Sequence, residues 1–348
     1  MKGDILDFLK KFIILVFMGT LFVIVLSLFM VGMGNQKYDN LPQFLIKSKN
    51  IILKKQDTRS EKIKVYITKE NTVKEMDLEQ YVTGVVAAEM PAEFSEEALK
   101  AQAVASRTFA AAHMGMYGGK KYKSNTGADV CDTVKCQVFV NKEDRMKNWP
   151  KSDGDKYWSK IVDAVQATSG QVLTYKNKLV MEPYYFAVSA GRTENSEDVF
   201  GEAEGYLKSV ESPGEESARK YKTSVKMSYI DFINKVNSSY ANSGLSLENL
   251  PNQVVIKSKN ESGSVKEIKL GDITISGTKF RTIMGLNSAN FSIDFKDGVY
   301  IQCTGYGHGV GMSQWGANYM GKNGKDYKNI LSHYYEGTSL KNVNLFKK

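Results

Sequence analysis

Three stretches of the chain carry residue types that could do chemistry. In Tyr81–Pro91 (YVTGVVAAEMP) one carboxylate, Glu89, closes an otherwise apolar run. A carboxylate desolvated at the negative end of a helix dipole has its acid form favoured, as a general acid requires. A surface glutamate at a fraying helix end fits the same spacing. In Ala187–Glu194 (AVSAGRTE) small and hydroxyl residues follow a strand-like run, so backbone N–H groups and the Ser189 and Thr193 hydroxyls could meet a substrate; a plain loop reads the same way. In Gly305–Ala317 (GYGHGVGMSQWGA) glycine occupies four alternate positions. The stretch lacks the G-x-G-x-x-G pattern and no Lys-Ser/Thr follows, which disfavours phosphate-cradling nucleotide chemistry. What remains is backbone bared for close approach, carrying His308, Ser313, Gln314 and Trp315, a set suited to hydroxyl-rich and amide-bearing sugars.

Scarcity limits the other chemistries. With three His and three Cys in 348 residues, a three-histidine metal cage would consume every imidazole, and disulfides cannot staple a fold of this length. A cysteine peptidase would need Cys303 with His308 or His333, yet Cys303 sits in a strand-like context five residues from His308. The formal charge of +9 predicts attraction to a polyanion, and no nucleic-acid motif accompanies it. Hydrophobic residues at 42% and 6 Pro against 29 Gly describe an ordinary globular chain and exclude a disordered or collagen-like one.

The elements that must position these stretches follow from pattern. Lys62–Thr68 alternates and is β-branched, a strand that opens the folded body. Asp77 with Gln80 resembles a capping box for a helix that Pro91 stops. Ser95, Glu96 and Glu97 open a second, alanine-rich helix that ends by Gly118–Gly119. Lys120 to Asp155 reads as loops. A helix follows near Tyr157–Thr168, then strands at Gln171–Tyr175 and Leu179–Val188. Further on come a helix at Tyr229–Ser239 and strands at Gln253–Lys257, Val265–Leu270 and Phe291–Phe295. The fold class is α+β, a helical unit on mostly antiparallel strands, with 213–301 as a second lobe or insertion.

The N-terminus speaks for a membrane. Phe12 to Gln36 holds no charge, and Phe12–Val31 is twenty almost wholly apolar residues, the length a helix needs to cross a bilayer. Residues 1–11 would be a cytoplasmic tail, 12–33 the anchor, 34–60 a basic stalk and 61–348 the catalytic body. A cleaved signal peptide is the rival, with Gly32 and Gly34 as small residues near a cleavage point. Lysines flank the span equally, so charge does not orient it, but a short tail and long remainder suit a body outside the cytoplasm. Between Phe44 and Glu75 nine basic residues face four acidic ones, which places much of the excess charge where anionic headgroups and wall polymers are the nearest partners.

The chain resembles the stage II sporulation protein D family. The resemblance rests on YVTGVVAAEMPAEFSEEALKAQAVASRTFA, the SAGRTE turn with EGYLKSVESP, SGTKFRTIMGLNSANFSI, and GYGHGVGMSQWGANYMGKNGKDYKNILSHYYEGT. It implies a membrane-anchored lytic transglycosylase that acts on peptidoglycan during forespore engulfment, on the mother-cell side of the intermembrane space. Glu89 would be acid and then base, and the substrate would be glycan stripped of stem peptides. Other membrane proteins of the engulfment machinery would be partners. Ordinary glycosidases need a second carboxylate, a need that intramolecular attack by the sugar removes. Arg107, Ser189, Thr193, His308, Ser313, Gln314 and Trp315 are then candidate substrate contacts, with a structural ion pair an equal reading for Arg107. The rival function is a non-catalytic glycan-binding module that recruits or enhances a cell-wall amidase.

No cofactor is required by that chemistry. Relatives often carry Cys, His and then Cys-Gln where this chain has Cys131-x4-Cys136, but Lys135 stands in place of the His. A structural zinc on Cys131 and Cys136 would need two more ligands, His113 being the nearest candidate; a short-loop disulfide and free thiols are equally open.

Overall fold

The computed structural model describes residues 61–348 apart from 120, 123 and 124. The expected tail, anchor and stalk lie outside the described residues, among which no helix is long and apolar enough to cross a membrane.

Strand β1 (Lys62–Ile67) buries Ile63 and Val65 and turns through Asn71, in the left-handed region at φ 54°, into β2 (Thr72–Asp77). Helix α1 (Leu78–Glu89) follows at once. Asp77 takes its N-cap position without a side-chain cap hydrogen bond, because Lys62 engages the carboxylate across the hairpin. Helix α2 (Glu96–His113) is capped as its sequence implies, the Ser95 hydroxyl accepting from the Ala98 N–H at 3.3 Å. After it come β3 (Val130–Cys131), α3 (Lys142–Asn148), α4 (Gly154–Ala167), β4 (Gln171–Tyr175), β5 (Lys178–Leu179), β6 (Tyr185–Phe186) and α5 (Ser196–Phe200). The chain continues with β7 (Lys222–Met227), α6 (Tyr229–Asn237), β8 (Val254–Lys259), β9 (Val265–Leu270), β10 (Ile273–Ser276) and α7 (Gly277–Met284). It closes with β11 (Phe291–Phe295), β12 (Val299–Thr304), β13 (Met312–Ser313), α8 (Gln314–Lys322), α9 (Tyr327–Tyr334) and β14 (Thr338–Asn342).

The architecture is mixed α+β. Three small sheets are antiparallel throughout, in the orders β10-β9-β8, β11-β12-β7 and β14-β4-β5. The β2-β1-β3 sheet adds one parallel pairing, and β6 with β13 forms a two-residue parallel ladder. Helix α2 is the hub, packed against α1, α4, α8, α9 and β4. Its buried alanines, among them Ala98, Ala101, Ala103, Ala105, Ala110 and Ala111, let five neighbours approach one helix. A second apolar cluster, from Phe232 to Cys303, gathers Phe280 and Phe291 face to face with centroids 5.0 Å apart.

Two local readings are corrected. Helix α3 replaces part of the expected loop: Asn141 caps it, accepting from the Asp144 N–H at 2.8 Å, but it buries no residue and so writes no apolar period into the sequence. The expected strand Leu179–Val188 is broken by Pro183, which offers no N–H, into β5 and β6 with an irregular link.

Candidate active site

Glu89 ends α1 because Pro91 cannot continue the helix, whose last bond runs from the Met90 N–H to the Val86 carbonyl at 3.0 Å. Its carboxylate lines a cleft of about 730 Å³. Phe109 and His113 of α2, the loop 134–138, the segment Glu182–Ala187, Phe200, Arg281 of α7 and the turn Tyr306–His308 form the other walls. Burial raises the Glu89 pKa, and the Val138 N–H, donating to Oε1 at 3.0 Å, offsets part of that rise.

The Val138 N–H is delivered by a loop that lies directly on α1. A Cβ at Gly84 would fall 2.3 Å from the Phe139 ring and 2.6 Å from the Val140 carbonyl, so only glycine admits the loop. Phe139 stacks on Tyr81, centroids 5.6 Å apart at 12°. Beside it the Tyr81 hydroxyl donates to Gln137 Oε1 at 3.3 Å, and Gln137 Nε2 donates to the Tyr185 hydroxyl at 3.0 Å. Burial holds both phenols far above their ordinary pKa, so the relay beside Glu89 is uncharged.

His308 also lines the cleft, its ring 5.5 to 5.8 Å from those of Tyr184, Phe186 and Phe200. Burial first, and the Arg281 charge second, push its pKa down to about 4. Its Nδ1 accepts the Val310 N–H at 3.1 Å, which leaves the proton of the neutral ring on Nε2. His308 is therefore a neutral hydrogen-bonding group near pH 7, and Glu89 and His308 are the sequence-predicted residues that share the cleft with Cys136.

The other predicted contacts are placed elsewhere. Arg107 is wholly buried and outside the cleft lining. Its Nε and Nη2 make a bidentate pair with Glu79 at 2.8 and 2.6 Å, and its remaining N–H groups reach the Gln171 and Val165 carbonyls, so the guanidinium is spent within the core. Ser189 and Ser313 converge on another carboxylate, Glu215, with no exposed surface. The Ser189 N–H donates to Glu215 Oε2 at 3.1 Å, Ser212 donates to Oε1 at 2.7 Å, and the Ser313 hydroxyl adds a third bond. Burial raises the Glu215 pKa from 4.5 to about 7 against those three bonds. Thr193 bonds Lys208 and Val210, Gln314 donates to Gln102 Oε1 at 3.2 Å, and Trp315 sits edge-on to Phe94 at 5.1 Å. None of these five residues lines the cleft.

The alternate glycines also serve the fold. At Gly311 (φ 78°) a Cβ would lie 2.0 Å from the Tyr184 carbonyl, and at Gly307 (φ 130°) 2.7 Å from Phe186 Cβ. At these two glycines the bared backbone is approached by the protein's own segment 184–186, and that contact sets the aromatic wall and His308 in place.

Cys131 and Cys136 are free thiols with sulfurs 3.0 Å apart, the Cys131 N–H donating to Cys136 Sγ at 3.1 Å. Burial, then the side-chain hydrogen bond shared with Cys131, pushes the Cys136 thiol up to about 12. Tetrahedral zinc with sulfur at about 2.3 Å would hold its thiolates about 3.8 Å apart and deprotonated. No group of three metal-ligating side chains occurs among the described residues, so the two thiols lack the further ligands a structural zinc needs. The residues present do not fit a zinc site. Cys303, buried on β12 with its thiol pKa raised by burial, lies outside the cleft and makes a poor nucleophile.

Sequence reasoning missed Arg281, Gln137, Tyr184, Tyr185 and Glu215. The doublet Tyr184–Tyr185 before Phe186 was a signal, since exposed-looking aromatics beside a hydroxyl-rich turn suit a sugar groove. Arg281 gave none: it lies in a helix far along the chain whose burial in the cleft is a tertiary fact.

Known proteins show similarity over most of this chain. A family profile for stage II sporulation protein (SpoIID) matches residues 66–175, the span that holds Glu89 and its supporting loop. Stage II sporulation protein D of Bacillus subtilis (strain 168) is 38% identical over 285 residues, 82% of this chain and 80% of that protein. Its counterpart in Bacillus amyloliquefaciens has the same identity and coverage. The amidase enhancer of Bacillus subtilis is 28% identical over 74% of this chain and 40% of its own length. By this identity and coverage the chain belongs to the stage II sporulation protein D family.

Proposed function

We propose that this protein is a peptidoglycan lytic transglycosylase, cleaving the bond between N-acetylmuramic acid and N-acetylglucosamine in glycan stripped of its stem peptides. The observation that carries the reading is Glu89: a desolvated carboxyl group, its pKa raised, in a cleft walled by aromatic rings and polar side chains. In its acid form Glu89 protonates the glycosidic oxygen as the C1–O bond breaks. As carboxylate it then takes the proton of the muramoyl 6-hydroxyl, whose oxygen bonds to C1 and closes the anhydro ring. Water takes no part, and the proton returned to Glu89 resets the site. The rings of Tyr184, Phe186 and Phe200 suit the apolar faces of the sugars. No step needs a metal or cofactor.

The apolar N-terminal segment supports a single-pass membrane protein with this body outside the cytoplasm. Engulfment during sporulation, on the mother-cell side of the intermembrane space, is the setting the family suggests. Peptidoglycan strands, other membrane proteins of that machinery and anionic membrane or wall polymers are the proposed partners.

Glu182 also lines the cleft, its N–H bonded to the Tyr206 hydroxyl at 3.3 Å, and a second carboxylate is what a hydrolase would use. Product analysis separates the two. Stripped glycan strands treated with the purified protein are expected to give anhydromuramoyl ends; Glu89→Gln abolishes them and Glu182→Gln does not. Reducing muramoyl ends, dependent on Glu182, would refute the transglycosylase. The amidase enhancer's similarity favours one other reading, a glycan-binding module that stimulates a separate amidase. Equal product from the wild type and Glu89→Gln, with stimulation of an added amidase by both, would establish it instead.

A further inference from the structure

Arg281 projects from α7, an element of the second apolar cluster, into the wall of the cleft that holds Glu89. Its Nε donates to the Leu286 carbonyl at 3.2 Å, which fixes the plane of the guanidinium. Among the described residues no carboxylate pairs with it; the groups around it are the Cys303 thiol, the Tyr306 hydroxyl and the His308 imidazole. The contrast with Arg107, whose guanidinium is consumed by Glu79 and three carbonyls, is direct. A half-buried cation without a counter-ion is costly unless a ligand supplies the anion, and a planar guanidinium with its outer N–H groups open is the side chain best matched to a carboxylate. Burial lowers the Arg281 pKa, in keeping with a charge held away from water.

Resting on the glycan reading above, we propose that Arg281 is a substrate-specificity residue that binds the lactyl carboxylate of an N-acetylmuramoyl unit. In glycan stripped of stem peptides that carboxylate is the one anion per disaccharide. In glycan that still bears stem peptides the same carbon is a neutral amide. A cation in the cleft thus discriminates between the two by charge, and the second cluster has a role in substrate choice through the helix that presents it.

Binding tests this without turnover. Full-length protein in detergent, carrying Glu89→Gln, is titrated with stripped strands, with the same strands after conversion of the lactyl carboxyl to a primary amide, and with strands bearing intact stem peptides. Stripped strands are expected to bind about ten- to a hundredfold more tightly than either neutralised form, the range of one charge-assisted hydrogen-bonded pair. Adding Arg281→Gln removes that preference. Persistence of the preference in Arg281→Gln, absence of a preference in the parent, or loss of binding to stem-peptide strands instead would each overturn the proposal. Should the Gln variant fail to fold, Arg281→Lys decides: loss of the planar fork lowers the preference at least threefold, and an unchanged preference overturns it. Failure of the transglycosylase reading registers separately, as absence of anhydro product from the wild type.

Discussion

Replacing Glu215 by Gln should make the protein more stable at alkaline pH and leave it nearly unchanged in acid. Glu215 is wholly buried, and its pKa rises from 4.5 to about 7 chiefly through burial. The native state then holds a proton that the unfolded chain has released, so stability present below pH 4.5 is lost as pH rises through 7 at about 1.4 kcal/mol per unit. The loss is about 3 kcal/mol in all, most of it between pH 5 and 8. Glutamine imitates the protonated acid. Its oxygen can accept the Ser189 N–H, and its NH2 can face Ser212, which passes its own proton to the Tyr334 hydroxyl 2.7 Å away. Urea unfolding followed by tryptophan fluorescence at pH 5, 6, 7 and 8 measures the difference. The stability gap in favour of Glu215→Gln should widen by about 2.5 kcal/mol from pH 5 to 8. Profiles that run parallel would mean that Glu215 is ionised throughout, and would refute the assignment of a buried neutral acid.

Two further outcomes follow from the geometry. Gly84→Ala places a Cβ 2.3 Å from Phe139 and must lift the 136–140 loop, so it should cost about 1–3 kcal/mol and lower turnover by loss of the Val138 bond to Glu89; unchanged activity and melting would contradict the loop's role. His308, with a pKa near 4, should keep a neutral ring from pH 8 down to about pH 5.5 when its C–H resonances are followed by NMR, and a midpoint close to 6.5 would show that the cleft does not desolvate it.

The parts of the fold legible in the sequence were those with a strong local period or cap. Ser95 with two glutamates fixed the start of α2, Pro91 fixed the end of α1, and β4, β9 and β11 matched their strand-like runs residue for residue. Helix α3 was illegible because it buries nothing, and the break between β5 and β6 was missed because β6 pairs with β13, more than a hundred residues away. In the site, Glu89 was legible as a lone carboxylate closing an apolar helix. The placement of Ser189, Thr193 and Ser313 was not legible, since a small-residue turn looks the same whether its polar groups face a sugar, a backbone carbonyl as the Thr193 hydroxyl does, or a buried carboxylate as the Ser189 N–H and Ser313 hydroxyl do at Glu215.

By itself the sequence determined the helix that ends at Glu89, the alanine surface on which its neighbours pack, and the apolar segment at the N-terminus, because each depends on residues close together in the chain. Only the tertiary structure decided which polar groups share water with Glu89. Burial, a bond from Val138 and the arrival of Arg281 and His308 are set by segments 50 to 220 residues distant, and desolvation is a property of what surrounds a group in space rather than of its neighbours in sequence.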